Sequence, residues 1–214
     1  MTISIVDHEL PDDTHNLYDV TFFNDEIHTL VTRSPSMVDS WISDVENLHR
    51  HMLHRLIVGL DVEWRPSFSR SIENPVAIIQ LCVARKCLIY QLIHSPGAPQ
   101  SLVDFLRKAN YTFVGVGIDS DVEKLLGDYG FGVSNAVDLR VLAADGLGMK
   151  ELRNSGIKNL AKEVLGREIE KPKRVTMSRW DNEWLTPAQV QYACVDAFLS
   201  YEIGKTLNAL ARWV

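Results

Sequence analysis

The segment Leu56–Trp64 constrains the fold more than any other stretch. It reads Leu-Ile-Val-Gly-Leu-Asp-Val-Glu-Trp. Its first part is nearly all apolar, the pattern of a strand covered on both faces. The strand then ends on two acids, Asp61 and Glu63. Residues i and i+2 of a strand point to one face, so these carboxylates are neighbours and Val62 turns the other way. Two like charges side by side at the end of an apolar strand repel each other and are costly to desolvate. A bound cation would offset both costs. A strand that ends in solvent, with both acids hydrated, accounts for the pair equally well, so the pair alone leaves both readings open.

The surrounding pattern supplies layers for that strand. Leu17–Phe23 and Ile27–Thr32 are rich in β-branched and aromatic residues, with Asn24-Asp25-Glu26 as the turn of a hairpin. Ser36–Leu53 carries apolar residues at helical spacing after the start signal Ser34-Pro35-Ser36. Val76–Val83 and Lys86–Leu92 read as strands joined at Ala84-Arg85. Ser101–Lys108 reads as a helix, Tyr111–Val116 as a strand, Asp119–Tyr129 as a helix and Ala136–Leu139 as a short strand. The remainder is mostly helical, with segments at Ile157–Leu165 and Pro187–Leu210. Strands first, then alternating helix and strand, then helices predict an α/β layered domain with a mixed sheet. A chain of 214 residues suits one domain, or one domain with a sizeable appendage.

Two further segments bring oxygen ligands. Gly115-Val116-Gly117-Ile118-Asp119-Ser120-Asp121 follows a strand and opens a helix. Ligands gather where strands of α/β sheets give way to loops and helices. Here Asp119 is the expected N-cap and Asp121 falls in the first turn. Both acids also simply favour a helix N-terminus, which is the ordinary reading. Tyr192 and Asp196 lie four residues apart on one helical face and can meet one ligand together. Packing of Tyr192 beside a hydrated Asp196 is the ordinary alternative. Together the three segments offer carboxylates and a phenol, the oxygen donors that hard divalent cations such as Mg²⁺ prefer. Two such ions about 4 Å apart form a phosphodiester-cleaving arrangement.

The formal net charge of -6, taken alone, argues against a polyanionic partner. Its distribution matters more. Met1–His28 holds seven of the 28 acids and no Lys or Arg. Without that segment, 21 acids face 22 bases, a balance of +1. Cys82, Cys87 and Cys194 form an odd set without metal-type spacing, as in a reducing compartment. No apolar run approaches the ~20 residues of a membrane span, and the N-terminus lacks the charged and apolar regions of a signal peptide. The expected location is the cytoplasm or the nucleus.

At these residues the chain resembles the DEDD-type 3′-5′ exonucleases of the ribonuclease-H-like (DnaQ-like) fold, in particular their Werner-syndrome-type branch. The resemblance runs from about Leu56 to Leu207. It rests on GLDVEW (Gly59–Trp64), NPVAIIQLC (Asn74–Cys82), FVGVGIDSDVEKL (Phe113–Leu125), VDL (Val137–Leu139), SRW (Ser178–Trp180) and LTPAQVQYACVDA (Leu185–Ala197). It implies a mixed β-sheet flanked by helices at 55–214, with residues 1–54 as an integrated N-terminal β-hairpin and helix. It also implies that Asp61, Glu63, Asp121 and Asp196 hold two Mg²⁺ or Mn²⁺ ions. Tyr192 matches the residue that defines the tyrosine (DEDDy) subclass; the histidine subclass would place His where Gln191 stands. The second motif lacks the Asn and aromatic residue of the broader family, as Werner-type members also do. The implied products are nucleoside 5′-monophosphates, with Tyr192 orienting the attacking water. Its reference pKa of about 10 makes it a poor primary base.

The acidic hairpin and helix are similar to those of the small plant RISC-interacting clearing exoribonucleases. That likeness implies single-stranded RNA as substrate, a hexameric ring of identical subunits and association with Argonaute. A Werner-type DNA exonuclease is the alternative, since contacts to a 2′-OH cannot be read from the chain. A non-catalytic nucleic-acid-binding scaffold is a further one, although a binder has no use for four extra acids.

Lys162–Arg179 holds six bases and three acids and could line a phosphate backbone. Its candidates for substrate contact are Lys171, Lys173 and Arg174, with Trp180 just after it, joined by Arg65 and Arg70 after the first motif. A hydrated basic loop around a buried tryptophan is the ordinary reading. His49, His51 and His54 do not share one helical face, and Cys194 reads as packing.

Overall fold

The structure is a computed structural model that describes residues 3–10, 14–67, 69 and 73–210. Its strands are β1 (Ile3–Asp7), β2 (His15–Phe22), β3 (Asp25–Thr32), β4 (Ile57–Trp64), β5 (Val76–Val83), β6 (Lys86–Tyr90), β7 (Thr112–Gly115) and β8 (Ala136–Asp138). Its helices are α1 (Pro35–Leu48), α2 (Gln100–Leu106), α3 (Ile118–Tyr129), α4 (Leu139–Leu147), α5 (Ile157–Leu165), α6 (Lys173–Thr176) and α7 (Pro187–Leu210). The strands form one sheet in the order β1-β2-β3-β6-β5-β4-β7-β8. This is the ribonuclease-H-like mixed sheet flanked by helices.

Pairing is antiparallel from β1 to β3 and from β6 to β4, but β3 joins β6 in parallel. The N-terminal hairpin therefore extends the sheet of its own chain and covers the β6 edge, which would otherwise be open to another strand. Beyond β4 the partners are parallel: β4 with β7, and β7 with β8. All eight residues of β5 are buried, as expected of an inner strand with both faces covered. One face packs on α4, α5 and α7, with Phe198 edge-on to Phe22 at 6.0 Å. The other packs on α1, α2 and α3, where Trp41 meets Phe105 at 6.3 Å. Full burial of side chains of this size contributes about 1.5–3 kcal/mol each.

Several boundaries differ from the sequence reading. The hairpin turns at Phe23-Asn24, with Asp25 and Glu26 already in β3. Helix α1 stops at Leu48, and a short 3₁₀ turn at Leu53–Arg55 leads into β4. Strand β1 was not expected; it is a short edge strand with only five residues of pattern. The expected segments Ile157–Leu165 and Pro187–Leu210 match α5 and α7.

One glycine sets the distance between sheet and helix. A Cβ at Gly59 would stand 2.0 Å from the Ala197 carbonyl oxygen and 2.7 Å from the Tyr201 nitrogen. The α7 backbone therefore lies directly on β4. Gly59, Asp61 and Glu63 share a face by alternation, so the contact that seats α7 at Gly59 also brings Asp196 to the two strand carboxylates.

Candidate active site

The parallel strands β4, β7 and β8 run in one direction, and their C-terminal ends deliver chemistry to one edge of the sheet, where α/β folds bind ligands. Strand β4 brings Asp61 and Glu63. A register shift between Glu63 and Trp64 ends regular pairing just past them, a feature that re-aims side chains beside active sites. Strand β7 ends in Gly115, and Gly117 caps α3 with φ of +73°, a left-handed conformation that glycine adopts without strain. The expected N-cap, Asp119, is thus displaced by Gly117 and sits exposed in the first turn of α3. Asp121, two residues on, is 9% exposed and turned inward.

Carboxylate oxygens of Asp61, Glu63 and Asp196 all lie within 4.8 Å of one another. Asp196 is only 4% exposed. Asp121 stands outside this tight group but close enough to act on Asp61 electrostatically. Burial pushes the Asp61 carboxyl well above its usual range, and the charges of Asp196 and Asp121 push it further. Glu63 is driven to about 10 by burial, then by Asp61 and Asp196. Asp121 rises to about 7 through burial and the charge of Asp138. Burial raises Asp196 as well, against the opposing pull of Lys171 and Tyr192. The Tyr192 phenol is raised far above its ordinary value by burial and by Asp196, Glu63 and Asp61, so it keeps its proton at any ordinary pH.

The remaining expected contacts fall into three kinds. Lys171 enters the cluster itself: its ammonium pairs with Asp196 and lies 4.8 Å from the centroid of the Tyr192 ring. Lys173 and Arg174 are exposed on α6, and Arg65 is exposed with an ion pair to Asp181 at 3.3 Å. Trp180 corrects the sequence reading, since it is 0% exposed. Its indole N–H donates to the Thr176 carbonyl at 3.3 Å and its ring backs Tyr192 at 5.8 Å. It supports the tyrosine and offers no face to a nucleic-acid base. Other bases of the expected run are engaged, Lys162 with Glu168 and Arg167 with Asp25. Arg70 lies outside the described residues.

Asp138 is a site-proximal residue that the sequence reading left without a role. It ends β8, caps α4 by accepting from the Arg140 N–H, and pairs with the Arg140 guanidinium at 2.5 Å. Burial alone would raise its pKa, but hydrogen bonds from Arg140 and the Gly117 N–H hold it below the usual range. The VDL motif carried the signal, because an acid ending a strand parallel to β4 falls at the same sheet edge.

The donor set fits a divalent cation. It is oxygen-only and hard, which suits Mg²⁺ or Mn²⁺. Three close carboxylates face one ammonium; burial raises each of these acids, and at Asp61 and Glu63 the neighbouring carboxylates add to the rise, a charge that a cation would neutralise.

The family model described as a 3′-5′ exonuclease matches residues 30–211. A 3′-5′ exonuclease of Arabidopsis thaliana is 37% identical over 155 residues, covering 72% of this chain and 53% of that protein. The bifunctional 3′-5′ exonuclease/ATP-dependent helicase WRN of Mus musculus is 34% identical over 155 residues, covering 72% of this chain and 11% of that protein. Escherichia coli RNase D superposes with a TM-score of 0.66 at 19% identity, covering 82% of this chain and 44% of that one, and shares the fold. This chain belongs to the 3′-5′ exonuclease family. It matches about half the length of the Arabidopsis relative and about a tenth of the mouse one.

Proposed function

We propose that this protein is a metal-dependent 3′-5′ exonuclease that removes nucleoside 5′-monophosphates from single-stranded nucleic acid, with RNA as the preferred substrate. The observation that carries the reading is the convergence of Asp61, Glu63 and Asp196 within 4.8 Å at one sheet edge, with Asp121 buried beside them. In this reading Asp61, Glu63, Asp121 and Asp196 hold two Mg²⁺ or Mn²⁺ ions. Two bound divalent cations would supply a water acidified to near-neutral pKa and neutralise charge on the leaving oxygen.

The chain's own groups do the rest. Tyr192 remains protonated and donates a hydrogen bond that orients the attacking water. Trp180 holds that phenol from behind. Lys173, Arg174 and Arg65 supply positive charge along the approach of the phosphate backbone. The 3′-5′ direction is carried over from the family to which the chain belongs.

The preference for RNA rests on the likeness to the small plant clearing exoribonucleases, as do a homohexameric ring, association with Argonaute, and action in the cytoplasm or nucleus. Among the described residues no helix is long and apolar enough to cross a membrane. Matched single-stranded RNA and DNA of one sequence, digested with Mg²⁺ and with EDTA, test the substrate. RNA shortened faster than DNA supports the reading; equal or faster loss of DNA removes the RNA preference. Light scattering at micromolar concentration tests the ring, which a monomer would contradict.

A further inference from the structure

Lys171 occupies an unusual place for a basic residue from a surface run. It lies in the coil between α5 and α6, directly before Pro172, the N-cap of α6. Its side chain is 28% exposed, and its ammonium is paired with an Asp196 side chain that is 6% exposed. Asp61 and Glu63 also attract it, and the Tyr192 ring lies 4.8 Å from Nζ. It is thus the positive charge shared by the three converging carboxylates.

Two hollows meet at this point. The cleft over Asp61 and Glu63 is bounded by Lys171, Tyr192 and Asp196. The same three residues also line a second, mainly apolar hollow, with Ile3, Val175 and Val195 in its wall beside the charged Glu170 and Arg174. The lysine stem is flexible and apolar, and its charged head seeks water or a counter-charge. The second hollow gives that stem a place to lie when the head leaves Asp196.

Building on the metal-dependent reading above, we infer that Lys171 is an internal counter-ion that holds the carboxylate cluster together in the cation-free chain and competes with divalent cations for Asp196. The reason is electrostatic. An ammonium hydrogen-bonded to Asp196 uses an oxygen that a cation needs, and it repels a second positive charge at the same carboxylates. Cation entry is therefore an exchange in which the lysine head moves away. Lys171 acts through the carboxylates and is a positioning residue. Its exchange links cation binding to the coil that leads into α6, the helix that carries Lys173 and Arg174.

Calorimetric titration of Mn²⁺ into the full chain tests this with the wild type, Lys171→Met and Lys171→Arg. Methionine keeps the stem and removes the charge. Lys171→Met binds Mn²⁺ about tenfold or more tightly than the wild type, and its melting temperature without metal is lower. Lys171→Arg retains the competing charge and shows no such gain. A second readout on the wild type alone is acylation of Lys171, followed by mass spectrometry. Saturating Mn²⁺ speeds it relative to the exposed Lys162. Equal or weaker Mn²⁺ binding by Lys171→Met, with Lys171 labelling unchanged by the metal, overturns the inference and leaves the exonuclease reading standing. Absence of saturable Mn²⁺ binding in the wild type overturns both.

Discussion

Two groups of metal-ligating side chains have almost the same spacing and opposite character. Atoms of Asp19, Glu26 and His28 lie within 4.8 Å of one another on the outer face of β2 and β3, just as those of Asp61, Glu63 and Asp196 do at the cleft. In the first group, Asp19 accepts from His28 at 2.7 Å and from His8 at 2.8 Å. The His28 bond leads in holding its carboxyl below the usual range, and the others outweigh a small burial cost. In the second, burial pushes every carboxylate up; neighbouring charges add to the rise at Asp61 and Glu63, while Lys171 opposes it at Asp196. Proximity does not separate the two groups; burial without enough positive charge does. Acids at the hairpin also fasten it to the domain, since Asp25 binds both Arg85 and Arg167 at 3.0 Å. The N-terminal acidity therefore has a structural task in the fold, distinct from the acids of the cleft.

The largest expected effect comes from the cleft. Asp61→Asn lowers the nuclease rate about a thousandfold or more, because a cation site loses a charged ligand. The same change raises the melting temperature of the metal-free protein by removing a buried like-charge contact. Calorimetry in EDTA beside a rate assay checks both signs; a fall in stability would break the contrast.

Gly59→Ala comes next. Its new Cβ would meet backbone rather than flexible side chain, so α7 must move off β4. The expected loss is about 3 kcal/mol in urea unfolding, with activity falling too as Asp196 leaves the strand carboxylates. Full activity with unchanged stability would show that the close approach at Gly59 does not position the site.

The pH dependence of the metal-free protein sharpens the comparison further. Asp121 titrates from 3.8 when unfolded to about 7 when folded. A raised folded pKa gives stability that is full below the unfolded value and lost as pH rises through the folded one. Metal-free stability therefore falls between pH 4 and about 7, and Glu63, at about 10, extends the decline. Saturating Mg²⁺ stabilises more at pH 8 than at pH 5. Asp19 behaves in the opposite sense: its lowered carboxyl contributes at neutral pH and loses that contribution as pH falls through its folded value. Melting curves from pH 4 to 8, with Mg²⁺ and with EDTA, measure the crossing.

The smallest effect is expected for His28→Ala. Its pair with Asp19 joins side chains 62% and 25% exposed, and after solvent screening it is worth about 0.5 kcal/mol or less. Mn²⁺ stoichiometry is unchanged in this variant. Loss of one bound equivalent would show that the hairpin group also binds metal and would end the contrast.

The sequence carried much of this site in local pattern. Alternation alone placed Asp61 and Glu63 on one face, and helical spacing paired Tyr192 with Asp196. Between Asp119 and Asp121 the family motif favoured Asp121; the physical reason lies in the phase of α3, which starts from Gly117 in a left-handed conformation and turns Asp121 inward. The parallel pairing of β3 with β6 brings together residues nearly sixty positions apart, and no local period reports it. Lys171 looked like part of a hydrated basic run because its partner is 25 positions away on another helix. Trp180 shows the reverse: named as a candidate substrate contact beside the ordinary reading of a buried tryptophan, it takes the buried place, behind Tyr192.

The central claim is that the buried carboxylates form a cation-dependent centre that cuts from the 3′ end. Digestion of a 5′-labelled single-stranded oligonucleotide by wild type and Asp196→Asn, in Mg²⁺ and in EDTA, tests it most directly. The expected result is a ladder that shortens one nucleotide at a time in Mg²⁺ and disappears in EDTA and in the variant. Internal cleavage, or undiminished shortening in EDTA or by Asp196→Asn, would contradict it.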